Sequence, residues 1–216
     1  MALVFGLYLF TVNLISPIIC DEDSNCYYTP KDVLGKKSLV PALIVLQCNG
    51  ATRGDIDSFK IVADSLSWVV ATCHSSRNHR DISLNDADIY QVIKRLVRLY
   101  PVDSSRIVIY GFSGQGTQAL TSLFLHPELI WGVIATCAST SPMSLLNTPA
   151  ILLNNPIYLV TREKDWNRVV NYRMFEVFKS WGVPCTLVLT KGEHAIGTIE
   201  EVLAGCRWLD GEMKEH

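Results

Sequence analysis

The sequence predicts an α/β domain built on a mostly parallel, doubly wound sheet with helices on both faces. Six short apolar runs, rich in β-branched residues, recur from about residue 38 onward. Segments with three- and four-residue apolar spacing lie between them, and such alternation argues for parallel strands joined by helical crossovers. The runs are almost continuously apolar rather than alternating, as expected of strands covered on both faces. The 216 residues suit one domain, and no linker divides them.

The first strand is read over 39–48 (LVPALIVLQC), followed by a helix over about 55–66 and a second strand over 67–73 (SWVVATC). The clearest helix is 86–100, where Ile89, Val92, Ile93, Leu96, Val97 and Tyr100 form one stripe. Asn85 or Asp86 is its expected cap, Asp88 sits in its first turn, and Pro101 closes it. Strand 106–112 (RIVIYGF) leads into a helix over 115–126, then strand 131–139 (WGVIATCAS). Strand 156–162 (PIYLVTR), a helix over 168–181, strand 185–191 (CTLVLTK) and a helix over 195–213 complete the series. Only the 16 residues 140–155 separate two of these strands, too few for a large lid domain. Trp131, Trp181 and Trp208 are read as packing, Arg53 and Asp55 as a solvated loop or helix cap.

The N-terminus differs from the rest. Ala2–Cys20 is uncharged and mostly apolar, and acidic DEDSN follows, which reads as a signal peptide cleaved near Cys20–Asp21. An uncleaved anchor or a lipidated Cys20 are the alternatives. The expected mature domain is 21–216, exported, touching a membrane only if that segment is retained or lipidated. Net charge is −2 with no basic stripe, which argues against nucleic acid as a partner. The seven cysteines make no CxxC pair and no Cys/His pattern, so no metal site is assigned. A disulfide among Cys26, Cys185 and Cys206 is allowed in an oxidising compartment.

In doubly wound sheets, ligands sit beyond the carboxyl ends of the strands. Ser113 stands there, in YGFSGQG (110–116), between a strand and a helix. A sharp strand-to-helix turn strains its backbone and exposes its side chain, as a nucleophile requires. The helix N-terminus offers free N–H groups to a developing oxyanion, with the Gly114 amide as first donor. A serine needs a base. His194, in the glycine-flanked loop after the last strand, is best placed; His126 reads as structural, and His74 and His79 can only line a cleft. Asp165, after strand 156–162, is preferred over Glu163 as the acid that orients the base. Trp166 beside it walls the pocket or packs.

The segments YPVDSSRIVIYGFSGQG (100–116), HPELIWGVIATCAS (126–139), YLVTREKDWN (158–167) and KGEHAIGTIEEVLAGCRWL (191–209) resemble the α/β-hydrolase superfamily. The likeness runs from about Tyr27 to Leu209, toward small esterases and dienelactone-hydrolase-like or prolyl-oligopeptidase-like members. The resemblance implies Ser113 as nucleophile, Asp165 as orienting acid and His194 as general base, the expected chain order. It also implies a second oxyanion amide after the first long strand, at Cys48 or Asn49. YPVDSSRI resembles the turn that precedes the nucleophile strand in such esterases.

Two positions depart from the superfamily pattern. Gln115 stands where the final glycine of G-x-S-x-G is expected, with Gly116 one later. Gln47-Cys48-Asn49-Gly50 replaces the expected His-Gly oxyanion pair. The expected activity is a serine hydrolase of carboxylic esters, small or at a polymer end, working through an acyl-serine and without a cofactor. A serine peptidase, or a binding protein that keeps the fold without turnover, are the alternative readings.

Overall fold

The computed structural model of the chain describes residues 18–35, 37–141 and 152–215. Most of the apolar leader, most of the 140–155 connection and His216 lie outside the described residues. Eight strands form one sheet in the order β1-β2-β4-β3-β5-β6-β7-β8. The six expected strands are β3 (Val40–Leu46), β4 (Val69–Thr72), β5 (Val102–Phe112), β6 (Gly132–Thr136), β7 (Ile157–Lys164) and β8 (Cys185–Glu193). All their mutual pairings are parallel. The helices are α1 (Arg53–Leu66), α2 (Ile82–Leu99), α3 (Gly114–Leu125), α4 (Arg168–Ser180) and α5 (Ile199–Glu215).

Alternate residues of each central strand feed two separate cores, which is why the runs read as continuously apolar. Ala42, Ile44, Ile107, Ile109, Val133 and Leu159 meet α2, α3 and α4 on one face. Leu43, Val45, Val108, Tyr110, Ile134 and Val160 meet α1 and α5 on the other. Each fully buried Leu, Ile or Val contributes about 1.5–3 kcal/mol of apolar transfer, so both faces are strongly specified.

Beyond the six expected strands lies an antiparallel edge. β1 (Ile19–Cys20) pairs with β2 (Cys26–Tyr28), which pairs antiparallel with β4. A Cys20–Cys26 disulfide closes this hairpin, while Cys185 and Cys206 are free. The acidic DEDSN is its turn: Asp21 accepts the amides of Asp23 and Asn25 and the Tyr27 hydroxyl. A cut between Cys20 and Asp21 would remove β1 and half of the disulfide.

Two boundaries also move. α2 starts at Ile82, capped by Asp81, which accepts the Ser83 amide at 2.8 Å. Asn85 and Asp86 are therefore interior and buried, with Asp86 bonded to Ser122 and His126. The lead-in at 102–105 is itself extended, part of β5, with a register irregularity against β3 between Val40 and Ala42. Asp55 does cap, accepting the Thr52 amide at 2.7 Å.

The chain runs from β3 outward to β4, then returns through α2 to β5 on the other side of β3. The carboxyl ends of β3 and β5 therefore flank the topological switch point, where such sheets form their crevice.

Candidate active site

Ser113 sits at the end of β5 with φ 55° and ψ −122°, a left-handed backbone that only a tightly determined turn imposes on a side-chain-bearing residue. Its amide is fixed by the Thr136 carbonyl at 2.9 Å, and its side chain stays half-buried. The flanking glycines are steric necessities. A Cβ on Gly111 would lie 2.2 Å from the Gln115 carbonyl oxygen; one on Gly116 would lie 2.9 Å from the Gly111 carbonyl oxygen.

His194 Nε2 lies 2.9 Å from Ser113 Oγ, and its Nδ1 lies 2.7 Å from Asp165 Oδ1. Three loops, each following a parallel strand, thus meet at one rim. Glu163, the rival acid, is exposed. Asp165 also accepts the Thr161 hydroxyl (2.8 Å) and the Asn167 amide (2.9 Å). Burial acts to raise its pKa, but the hydrogen bonds from His194, Asn167, Thr161 and Cys137 outweigh it and hold the carboxyl below its usual range. The acid is kept ionised where it faces the imidazole.

Two aromatic rings contact His194. Trp166 stacks on it with centroids 3.6 Å apart, and Phe112 lies tilted at 5.0 Å. Trp166 is itself 74% exposed, so it covers one face of the imidazole from the surface rather than packing in the core.

The device that holds the histidine loop joins residues far apart in the sequence. Arg162, buried near the end of β7, bonds both carboxylate oxygens of Glu201 at 2.9 Å. The same guanidinium donates to the Ile196 carbonyl at 2.8 Å and the Ala195 carbonyl at 3.4 Å, the two residues after His194. Thr190 on β8 accepts a further bond at 2.8 Å. One arginine thereby ties the strand that leads to Asp165 to the loop that carries His194. The only trace in the sequence was a charged residue ending an otherwise apolar strand run, TREK.

Cys137, with φ 50° at the end of β6, brings its thiol within 4.8 Å of ligand atoms of Asp165 and His194. Burial, then the Asp165 charge, push its pKa up to about 12, so it stays a protonated donor. The polar atoms of this cluster already satisfy one another through hydrogen bonds.

On the other side of Ser113, the two departures from the superfamily pattern meet. Gln115 is buried and points away from the elbow: its Oε1 accepts the Ser76 hydroxyl at 2.7 Å, and its Nε2 reaches Asn78 Oδ1 at 3.5 Å. The Asn78 amide donates to the Cys48 carbonyl at 2.8 Å. Cys48 Sγ lies 3.5 Å from the Phe112 carbonyl, so the 47–50 turn rests against the elbow. Burial raises the Cys48 pKa and keeps the thiol protonated. Gly114 opens α3, where helix amides have no intrahelical acceptor. A Cβ there would lie 2.4 Å from Asn78 Oδ1, so the loop packs directly on this residue. His74 bonds the Ala51 carbonyl and His126 bonds Asp86, so neither joins the Ser113 cluster.

No protein-family profile matches the sequence, and no curated protein matches it either. Solved structures do. A ferulic acid esterase superimposes with a TM-score of 0.68 at 16% identity, covering 85% of this chain and 88% of that one. An S-formylglutathione hydrolase from Staphylococcus aureus gives 0.68 at 12% identity, covering 90% and 97%. Est1E from Butyrivibrio proteoclasticus gives 0.61 at 14% identity, covering 91% and 98%. The sheet order, the helices on both faces and these likenesses together establish the fold as that of the α/β-hydrolase esterases and serine hydrolases.

Proposed function

We propose that the chain is an exported serine hydrolase that cleaves carboxylic esters through an acyl-serine intermediate. The observation that carries this reading is the unbroken hydrogen-bond chain from Ser113 through His194 to Asp165. His194 Nε2 takes the Ser113 proton as Oγ attacks the ester carbonyl carbon. The resulting oxyanion is held by the Gly114 amide and by an amide of Cys48 or Asn49. His194 then delivers its proton to the departing alcohol oxygen as the C–O bond breaks. Water repeats the sequence on the acyl-serine, releasing the acid and restoring Oγ–H. Asp165 fixes the imidazole tautomer and stabilises its cation throughout.

The Cys20–Cys26 disulfide supports an oxidising compartment. It favours processing upstream of Cys20, or retention of the leader as an anchor, over a cut after Cys20; the mass of the mature N-terminus distinguishes these. Catalysis is tested with p-nitrophenyl acetate and butyrate. Turnover by the wild type that vanishes in Ser113→Ala is the expected result. A folded wild type without turnover favours a binding protein of the same fold, and cleavage of peptide but not ester substrates favours a peptidase.

A further inference from the structure

A cleft of about 280 Å³ opens beside the elbow, and its wall includes Gly114, the residue after Ser113. The loop between β4 and α2 forms the opposite side, with Arg77, His79 and Arg80 on the lining. No Asp or Glu lines this cleft among the described residues. Arg80 is neutralised by Asp88 at 2.7 Å, but the exposed Arg77 guanidinium has no partner among the described residues.

The loop that presents Arg77 is nevertheless held firmly. The Arg77 amide donates to Asn85 Oδ1 at 3.2 Å, and its carbonyl accepts Asn85 Nδ2 at 2.9 Å. Asn85 is buried in α2, and the neighbouring Ser76 and Asn78 are fastened to Gln115 and Cys48. The main chain that carries this unpartnered arginine is thus fixed in the wall of a cleft that also includes Gly114, the residue next to Ser113. The N-terminus of the twelve-residue α3 adds partial positive charge at the same place.

We infer that this cleft is a subsite for a carboxylate group carried by the ester substrate, with Arg77 as the specificity-determining contact. The inference rests on the ester-hydrolase reading of the adjoining serine and names its substrate class: half-esters of dicarboxylic acids and similar anionic esters. A guanidinium pairs with a carboxylate through two parallel charge-assisted bonds, which a neutral acyl chain of the same length cannot replace.

The test compares mono-p-nitrophenyl glutarate with p-nitrophenyl pentanoate, alongside calorimetric binding of glutaramate and of neutral pentanamide, which do not depend on turnover. The wild type should favour the anionic ester through KM, and bind glutaramate more tightly than pentanamide, by about ten-fold, the scale of one charge-assisted contact. In Arg77→Gln both ratios should fall toward one, and added salt should lower the wild-type ratios. Equal binding of glutaramate and pentanamide by the wild type, or ratios unmoved in Arg77→Gln, would overturn the subsite. Charge-selective binding lost in Arg77→Gln, but with neither ester hydrolysed, would uphold the subsite and end the hydrolase reading instead.

Discussion

The two flanks of Ser113 are built from different materials. On the histidine flank a buried arginine, a carboxylate and backbone carbonyls lock one loop, and two aromatic rings contact the imidazole. On the Gly114 flank the supports are neutral: a glutamine, an asparagine, a serine hydroxyl and main-chain amides. A base must present one nitrogen at one distance while its charge changes during turnover. Charged, buried bonds supply that stiffness, because breaking either partner leaves an uncompensated ion. On the proposed reading, an oxyanion site needs N–H groups aimed at a small volume, and neutral hydrogen bonds hold the turns that would carry them.

The two flanks should therefore fail differently. Ser113→Ala removes what they share, and kcat should fall by about five to six orders of magnitude with the fold intact by circular dichroism. Next in size is Arg162→Gln, which strands Glu201 and frees the His194 loop. We expect about 3–5 kcal/mol less stability in urea unfolding and about a hundred-fold lower kcat from the misplaced base. An unchanged kcat would show that the latch does not position His194.

Acid should dissolve the same latch. Burial tends to raise the Glu201 pKa, but bonds from Arg162, the Thr198 amide and Thr190 outweigh it and lower it. Its stabilising contribution is then complete above the unfolded glutamate value of about 4.3 and is lost as pH falls through the lower folded value. The stability gap between the wild type and Glu201→Gln, followed by thermal unfolding, should be widest near neutrality and close in acid.

On the neutral flank, Gln115→Gly completes a G-x-S-x-G pattern and removes the Ser76 and Asn78 bonds. Each lost neutral bond is worth about 1 kcal/mol, so a loss of several-fold in kcat is expected, smaller than for Arg162→Gln. A gain in activity would mean that the glutamine hinders the elbow rather than supporting it. Smallest is Trp166→Ala: the exposed indole supports one ring face, and stability should stay within about 0.5 kcal/mol while kcat drops less than ten-fold.

The contrast also explains what was legible in the sequence. Strand runs at residues 39–48 and 106–112 declared themselves because both faces are covered, and the crossover rule then placed every chemical residue at one rim. Ser113, Asp165 and His194 could be singled out as candidates because each stands alone after a strand, and the fold brings the three together. Arg162 and Glu201, 39 positions apart, pair only after β7 meets α5, and no periodicity announces such a pair. Gln115 was visible as an anomaly, but its partner Ser76 is likewise 39 positions away, so its use was not. The β1–β2 hairpin was hidden because β1 lies inside an apolar run and β2 has three residues.

Ester hydrolysis by this chain requires Ser113 to be the hydroxyl that His194 activates. Purified wild type and His194→Gln should be treated with a fluorophosphonate probe, and the adduct located by peptide mass spectrometry. A single adduct on the Ser113 peptide, formed far more slowly in His194→Gln, is the predicted result. Folded wild type that takes no label, or label on another residue at equal rates in both proteins, would contradict it.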